Sequence, residues 1–224
     1  MVSSTRDVLP AQDRLRITEI FRSLQGEALS AGVPTVFVRL TGCPLRCQYC
    51  DTAYAFAGGQ LHSIESVMNR VTDFDTAHVC VTGGEPLAQP AALHLMTQLC
   101  DAGLNVSIET SGALDVSQVD TRVSKVLDLK TPGSGEVTRN LYSNVDHLLA
   151  HDQVKFVICD RADFDWAVDV TKRYALTDRC TVWLSPSHEQ LETRELADWL
   201  LESGMPLRLQ VQLHKYIWGD EPGR

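Results

Sequence analysis

Three cysteines, Cys43, Cys47 and Cys50, fall within the stretch Cys43-Pro44-Leu45-Arg46-Cys47-Gln48-Tyr49-Cys50-Asp51-Thr52. Their spacing, three and then two intervening residues, lets the sulfurs converge from one loop on a single inorganic centre. A tetrahedral zinc site or an all-cysteine cluster wants a fourth thiolate or imidazole, and none follows at ligand spacing. Three thiolates on a four-iron cube leave one iron open to a chelating ligand from outside the protein. Two other readings stand beside this one. Zinc completed by His62 or Cys80 would lack the second ligand pair that zinc knuckles supply. A disulfide between cysteines so close in a tight turn would be strained. Cys80, Cys100, Cys159 and Cys180 lie in apolar runs and read as core residues.

Further polar motifs follow short apolar runs. Thr82-Gly83-Gly84-Glu85-Pro86 comes directly off Val79-Cys80-Val81. Paired glycines let a backbone approach a ligand, and the Glu85 carboxylate can accept hydrogen bonds from an ammonium group. The plain alternative is a strand-to-helix turn broken by Pro86. Glu109-Thr110-Ser111-Gly112 and Asp128-Leu129-Lys130 end the next two runs, where they serve either a ligand or a solvated loop. Ser185-Pro186 and Gln212-Leu213-His214-Lys215 occupy the corresponding later positions, and of the seven histidines only His214 lies at one of them.

What must position these groups is a set of alternating elements. Strands are predicted at 16–20, 35–40, 78–82, 105–109, 125–129, 153–158, 180–184 and 207–212, most of them continuous apolar runs as in buried parallel strands. Helices are predicted over 63–71, 90–101, 141–150, 163–174 and 189–202, with Ser63 and Gly103 as cap signals. Strand and helix in alternation imply βα units and an α/β fold. In a parallel sheet the polar motifs would then share one rim, the face where barrels and open α/β sheets place their sites. The expected architecture is a partial, incomplete TIM-type barrel of six to seven mostly parallel strands.

The 224 residues suit one domain over 1–224, with 1–14 as a flexible lead-in that lacks hydrophobic periodicity. A net charge of -9 without any Lys/Arg cluster argues against direct binding of nucleic acid or of an anionic membrane. No apolar run approaches bilayer length. An odd count of seven cysteines without a leader segment points to a reducing cytoplasm. The expected partner is a small molecule or another protein.

The cysteine spacing and the Gly83-Gly84-Glu85-Pro86 element resemble the signature of radical S-adenosylmethionine (SAM) enzymes. Leu24-Gln25-Gly26-Glu27, Gly32-Val33-Pro34, Phe37-Val38-Arg39-Leu40-Thr41-Gly42-Cys43, Tyr49-Cys50-Asp51-Thr52 and Gln212 to Gly219 narrow the resemblance to the 7-carboxy-7-deazaguanine synthase family, from Ile17 to the C-terminus. That resemblance implies a lyase of queuosine and 7-deazapurine biosynthesis, in a tRNA modification pathway. It would convert 6-carboxy-5,6,7,8-tetrahydropterin to 7-carboxy-7-deazaguanine with loss of ammonia. It implies a 4Fe-4S cluster on Cys43, Cys47 and Cys50, SAM as cofactor and Mg2+ on Thr52. Cofactor contacts are expected from Gln48, Tyr49, Asp51, Gly83, Gly84, Glu85, Glu109, Ser111, Asp128 and Lys130. Substrate contacts are expected from Leu24, Gln25, Gly26, Glu27, Arg39, Thr82, His214 and Arg224, with the C-terminal residues folding over the substrate. A guanidinium such as Arg39 suits a carboxylate-bearing pterin. A lone hydroxyl suits magnesium, which keeps several waters, although Thr52 could instead cap the turn that follows it. An electron donor such as flavodoxin and a homodimer are further expectations. The chain departs from the family at Ala28, where a second glycine is usual, and at Asp128-Leu129-Lys130-Thr131-Pro132, which replaces a Ser-Pro-Lys-Pro run. The competing readings are a glycyl-radical-enzyme activase, which would leave Leu24-Gln25-Gly26-Glu27 without a role, and a non-catalytic zinc-binding interaction protein.

Overall fold

The computed structural model of the protein describes residues 13–219, 221 and 223. Its first two strands, β1 (Arg14–Leu24) and β2 (Pro34–Leu40), form an antiparallel hairpin in which Glu19 lies opposite Arg39 and Phe21 opposite Phe37. The lead-in expected over 1–14 falls almost wholly outside the described residues, and Arg14 already belongs to β1. A short strand that the sequence reading missed, β3 (Gln60–Ser63), pairs antiparallel with the start of β1. Then come β4 (His78–Gly83), β5 (Asn105–Thr110), β6 (Ser124–Asp128), β7 (Gln153–Ile158), β8 (Thr181–Pro186) and β9 (Arg208–Leu209). The spatial order is β3-β1-β2-β4-β5-β6-β7-β8-β9, and every neighbouring pair from β2 to β9 is parallel. Among the described residues β3 and β9 remain edges, so the sheet is an open, incomplete barrel.

Helices α1 (Ile64–Thr72), α2 (Ala91–Asp101), α3 (Arg161–Arg173) and α4 (Thr193–Ser203) return the chain between strands. Ser63 caps α1 by accepting the Ser66 amide, and Asp160 caps α3 by accepting that of Asp163. Along α2 the apolar residues recur at helical spacing, and Leu95, Met96 and Leu99 are fully buried. They pack with Val67, Phe164 and Leu196 of the other helices against the outer face of the sheet: Val36, Val38, Val81, Ile108, Leu127, Phe156 and Leu184. That layer is the core.

Two helix expectations are corrected. Residues 141–150 form the 3-10 turn Tyr142–His147 in place of an α-helix. Asn144 is the cause. Its buried side chain donates to the carbonyls of Gly112 and Leu114 and accepts from the Val116 amide, pinning the segment to the loop after β5. The helix expected from 189 starts only at Thr193, because Glu189 has a positive φ and the Gln190 and Leu191 amides turn back to the Ser187 carbonyl. Past β9 the chain forms a short helix, α5 (Leu213–Trp218), where no separate element is predicted.

Most strands read in sequence as continuous apolar runs, whereas in the fold they are two-faced. Successive side chains alternate between sheet faces. While one set feeds the core, the alternate set, Phe37 and Arg39, Thr82, Glu109, Val126 and Asp128, Lys155 and Val157, and Ser185, lines a cavity on the inner face.

Candidate functional site

The cavity encloses about 460 Å³ and opens at the C-terminal ends of the parallel strands. One end is walled by the cysteine loop. Gly42, at φ +99°, donates to the Ala55 carbonyl and accepts from the Glu85 amide, which ties the loop's entry to the exit of β4. Further along, the Gln48 amide donates to the Ser134 carbonyl at 3.0 Å and the Arg46 amide to Glu136 Oε1 at 2.6 Å. The Arg46 guanidinium lies 4.2 Å over the Phe56 ring. Cys43, Cys47 and Cys50 are each half-buried free thiols on this wall. Burial pushes the Cys47 thiol up to about 11, with Lys130 opposing and Asp128 and the other two cysteines adding to the rise. His62 and Cys80 do not share the wall.

Gly83 and Gly84 are required by the chain itself. A Cβ on Gly83, at φ +141°, would meet the Leu40 carbonyl oxygen at 2.2 Å, and one on Gly84 would meet that of Gly42 at the same distance. Both lie on the cavity wall, so close backbone packing behind them delivers the cysteine loop to the cavity.

Two expected cofactor contacts are not on the wall. Gln48 is exposed and packs beside Gly135, turned away by the loop's attachment to Ser134. Glu85 is fully buried, and its carboxylate accepts from Thr110 Oγ1, from the Ser111 amide and hydroxyl, and from the Leu87 amide. An anionic side chain without access to solvent needs such donors, and here they are internal. Glu85 therefore fixes Thr110 and Ser111, which do line the cavity.

On the next strands Glu109 accepts from Thr82 Oγ1 at 2.8 Å and from Gln25 Nε2 at 3.3 Å. Asp128 pairs with Lys130 at 3.0 Å. Burial alone would lower the Lys130 pKa, but the charge of Asp128 raises it, so the ammonium stays charged. Two buried polar atoms of wall residues, Tyr49 Oη and Asp128 Oδ1, have no hydrogen-bond partner among the described residues. Unmet polar atoms at a cavity wall are a demand that a polar ligand can satisfy. Together with three thiols in one loop, they fit a cluster and a polar cofactor at this end. Among the described residues no three His, Cys, Asp or Glu side chains gather tightly enough for a single ion. A lone zinc needs its sulfurs about 2.3 Å from one centre, whereas a cube takes one sulfur at each iron.

The opposite end is assembled from distant segments. The loop after β1 crosses the gap between β1 and β9: the Ala28 amide donates to Gln210 Oε1, the Leu29 amide to Gln153 Oε1, and the Leu213 amide to the Gly26 carbonyl. The His214 ring sits so close over Gly26 that a Cβ there would lie 2.0 Å from Nδ1. Burial lowers the His214 pKa, opposed by Glu27 and Asp51. Glu27 accepts from Lys155 Nζ, from Gln212 Nε2 at 2.9 Å and from Gln210 Nε2 at 3.3 Å. Gln212 also reaches Asp51 Oδ2 at 3.0 Å, and Thr52 Oγ1 donates to Asp51 Oδ1 at 2.8 Å. Thr52 makes no side-chain cap to the 3-10 turn that follows, so the capping alternative is not realised. Arg39 Nε pairs with Glu19 at 2.7 Å, and its guanidinium lies near the Phe21 and Tyr54 rings. Gly219, Glu221 and Gly223 line the cavity, while Arg224 lies outside the described residues.

Leu24, Gln25, Gly26, Glu27, Arg39, Thr82 and His214 thus share one cavity with the cysteines, Tyr49, Asp51 and Thr52. Sequence reasoning missed Lys155. The available signal was a lysine in the middle of the apolar run Val154–Ile158, at the inward position of the strand's period of two. Ser187 and His188 also line the wall without having been singled out.

Residues 37–178 match the family model described as the Radical SAM superfamily. Over 210 residues the chain is 42% identical to the 7-carboxy-7-deazaguanine synthase of Chlorobaculum tepidum, covering 92% of this chain and 96% of that one. Over 222 residues it is 40% identical to the protein of the same name from Koribacter versatilis, covering 92% and 98%. Among solved structures, QueE from Escherichia coli superposes with a TM-score of 0.74 at 23% identity, over 90% of this chain and 95% of that one. Streptococcus suis SuiB gives 0.54 at 12% identity over 76% of this chain and 47% of its own. The structural likenesses speak for the fold alone.

Proposed function

The chain belongs to the 7-carboxy-7-deazaguanine synthase family of the radical SAM superfamily, and on that premise we propose a reading of its cavity. The protein is a radical SAM enzyme that converts 6-carboxy-5,6,7,8-tetrahydropterin to 7-carboxy-7-deazaguanine with release of ammonia, in queuosine and 7-deazapurine biosynthesis. The observation that carries this is the single cavity shared by the three-cysteine loop and the Leu24–Glu27 loop. When bound, a 4Fe-4S cluster and SAM supply a 5'-deoxyadenosyl radical able to take hydrogen from C6 of the pterin.

Cys43, Cys47 and Cys50 are the residues that would hold the cluster. Tyr49, Asp51, Gly83, Gly84, Glu109, Ser111, Asp128 and Lys130 form the cofactor end, where Tyr49 Oη and Asp128 Oδ1 await partners. Glu85 serves that end indirectly, by holding Ser111 in place. At the substrate end Arg39 presents a guanidinium already oriented by Glu19, suited to the pterin carboxylate. Gln25 and Thr82 are tied to Glu109, so substrate and cofactor ends share a hydrogen-bonded partition. Thr52 offers magnesium one neutral oxygen, which leaves room for waters and substrate oxygens. The whole chain, 1–224, reads as one radical SAM domain in the cytoplasm, working as a homodimer and reduced by a donor such as flavodoxin. No helix among the described residues is long and apolar enough to cross a membrane.

The decisive experiment is anaerobic turnover of the carboxy-tetrahydropterin with SAM, magnesium and a reductant, read by mass spectrometry. The expected products are 7-carboxy-7-deazaguanine and ammonia. SAM cleavage without a deazaguanine would defeat the substrate assignment. A colourless protein carrying stoichiometric zinc would defeat the cluster.

A further inference from the structure

We infer that Lys155 is a positioning residue for substrate recognition, holding the Glu27 carboxylate aimed into the cavity from the far side of the barrel. The inference rests on the functional reading above and deepens it.

Lys155 lies at the middle of β7, on the face that lines the cavity, between Phe156 and Val154, which are both fully buried in the core. An ammonium in that position has a desolvation cost that only close anionic partners offset. Its partners belong to different elements: Glu27 in the loop after β1, in direct contact, and Asp128 at the end of β6, 3.9 Å away. The Lys155 and Glu27 side chains are only 14% and 11% exposed, so solvent screens the pair weakly. Gln212 and Gln210 take further lone pairs of Glu27. With three donors on a carboxylate that offers about four acceptor sites, little more than one is left for a ligand, in a fixed direction. The charged and titratable groups around Glu27 are Lys155 from β7, Asp51 from the cysteine loop, Asp128 from β6, Glu109 from β5, and His214 and Lys215 from α5. Burial alone would raise the Glu27 pKa, and the Lys155 charge and hydrogen bond, with Gln212, hold it below its ordinary value. His214 does not substitute for Lys155 at neutral pH, since burial lowers its own pKa.

The test uses the reconstituted holoenzyme and the carboxy-tetrahydropterin, with Kd from fluorescence quenching under SAM and KM from turnover. In K155M both should rise by on the order of 10- to 100-fold, while SAM affinity stays at the parent value. An acid limb absent from the parent should enter the kcat/KM profile of K155M above the ordinary carboxylate range, since the burial that raises the Glu27 pKa is then no longer opposed by the Lys155 charge. K155R should restore part of the affinity. Should K155M fold poorly because Glu27 is left unpaired, the E27Q/K155M pair decides: its pterin Kd should equal that of E27Q alone, since the two residues act as a unit. K155M binding pterin like the parent, or losses that add in the double variant, would overturn the inference. So would equal losses of SAM and pterin affinity, which mark a general structural role. A parent enzyme that binds no pterin overturns the functional reading together with the inference, which separates the two failures.

Discussion

At the cofactor end of the cavity much of the wall comes from one short stretch, with Cys43, Cys47, Tyr49, Cys50, Asp51 and Thr52 beside Gly83 and Gly84, which are pressed against Leu40 and Gly42. At the substrate end the central residue, Glu27, is held by Lys155 and Gln212, which stand 128 and 185 positions away. The first construction is rigid because parallel strands β2 and β4 are adjacent and their exits share backbone hydrogen bonds. The second depends on the whole barrel, and on a C-terminal segment that crosses its open side. A reaction that needs a fixed radical source and an exchanging substrate is served by that division. Gln212, bonded to both Glu27 and Asp51, is where the two constructions meet.

The comparison is broken most severely at the cysteines. Cys47→Ala should abolish cluster retention and turnover, measured as iron content and charge-transfer absorption, because a cube with two protein ligands is labile. Cys80→Ala, deep in the sheet, should keep its iron and lose only stability. Full iron in the Cys47 variant would show that the cofactor end is built on other residues.

Glu85→Ala probes whether the cofactor end is as local as it looks, since Glu85 carries the cysteine side over to Thr110, the last residue of β5, and to Ser111 just after it. It leaves buried donors without an acceptor, a loss of about 3 kcal/mol. A melting temperature lower by roughly 10 °C and weaker SAM binding should appear together. Weaker binding at an unchanged melting temperature would instead mean that Glu85 touches the cofactor.

Thr52→Ala tests the seam between the ends. Cluster content and SAM cleavage should persist, while product formation falls on the order of tenfold and its response to magnesium flattens. Thr52→Ser should retain both. A parent-like magnesium response in the alanine variant would place the ion elsewhere.

The smallest effect is the acid response of the substrate end. The folded-state pKa of Glu27 is depressed, so its stabilising contribution is fully present above the unfolded value of about 4.3 and is lost as pH falls through the lower folded value. The difference in melting temperature between the parent and Glu27→Gln should be constant from pH 7 to 5 and shrink below about pH 4. A difference that grows on acidification would mean that Glu27 is destabilised as an anion.

Read alone, the sequence determined that Cys43, Cys47 and Cys50 stand together, because residues confined to one loop stay close whatever the rest of the chain does. It determined the alternation of strands and helices for the same reason: hydrophobic period and caps such as Ser63 act within a few residues. What it could not determine were contacts set by strand order. The 3-10 turn at Tyr142–His147 exists because Asn144 finds carbonyls about thirty residues upstream. Glu85 reads as a ligand-facing carboxylate until β5 supplies its donors. Lys155 reads as an interruption in an apolar strand until the barrel brings Glu27 against it. Burying a charge is affordable only beside its partner, and only the tertiary structure decides which partner that is.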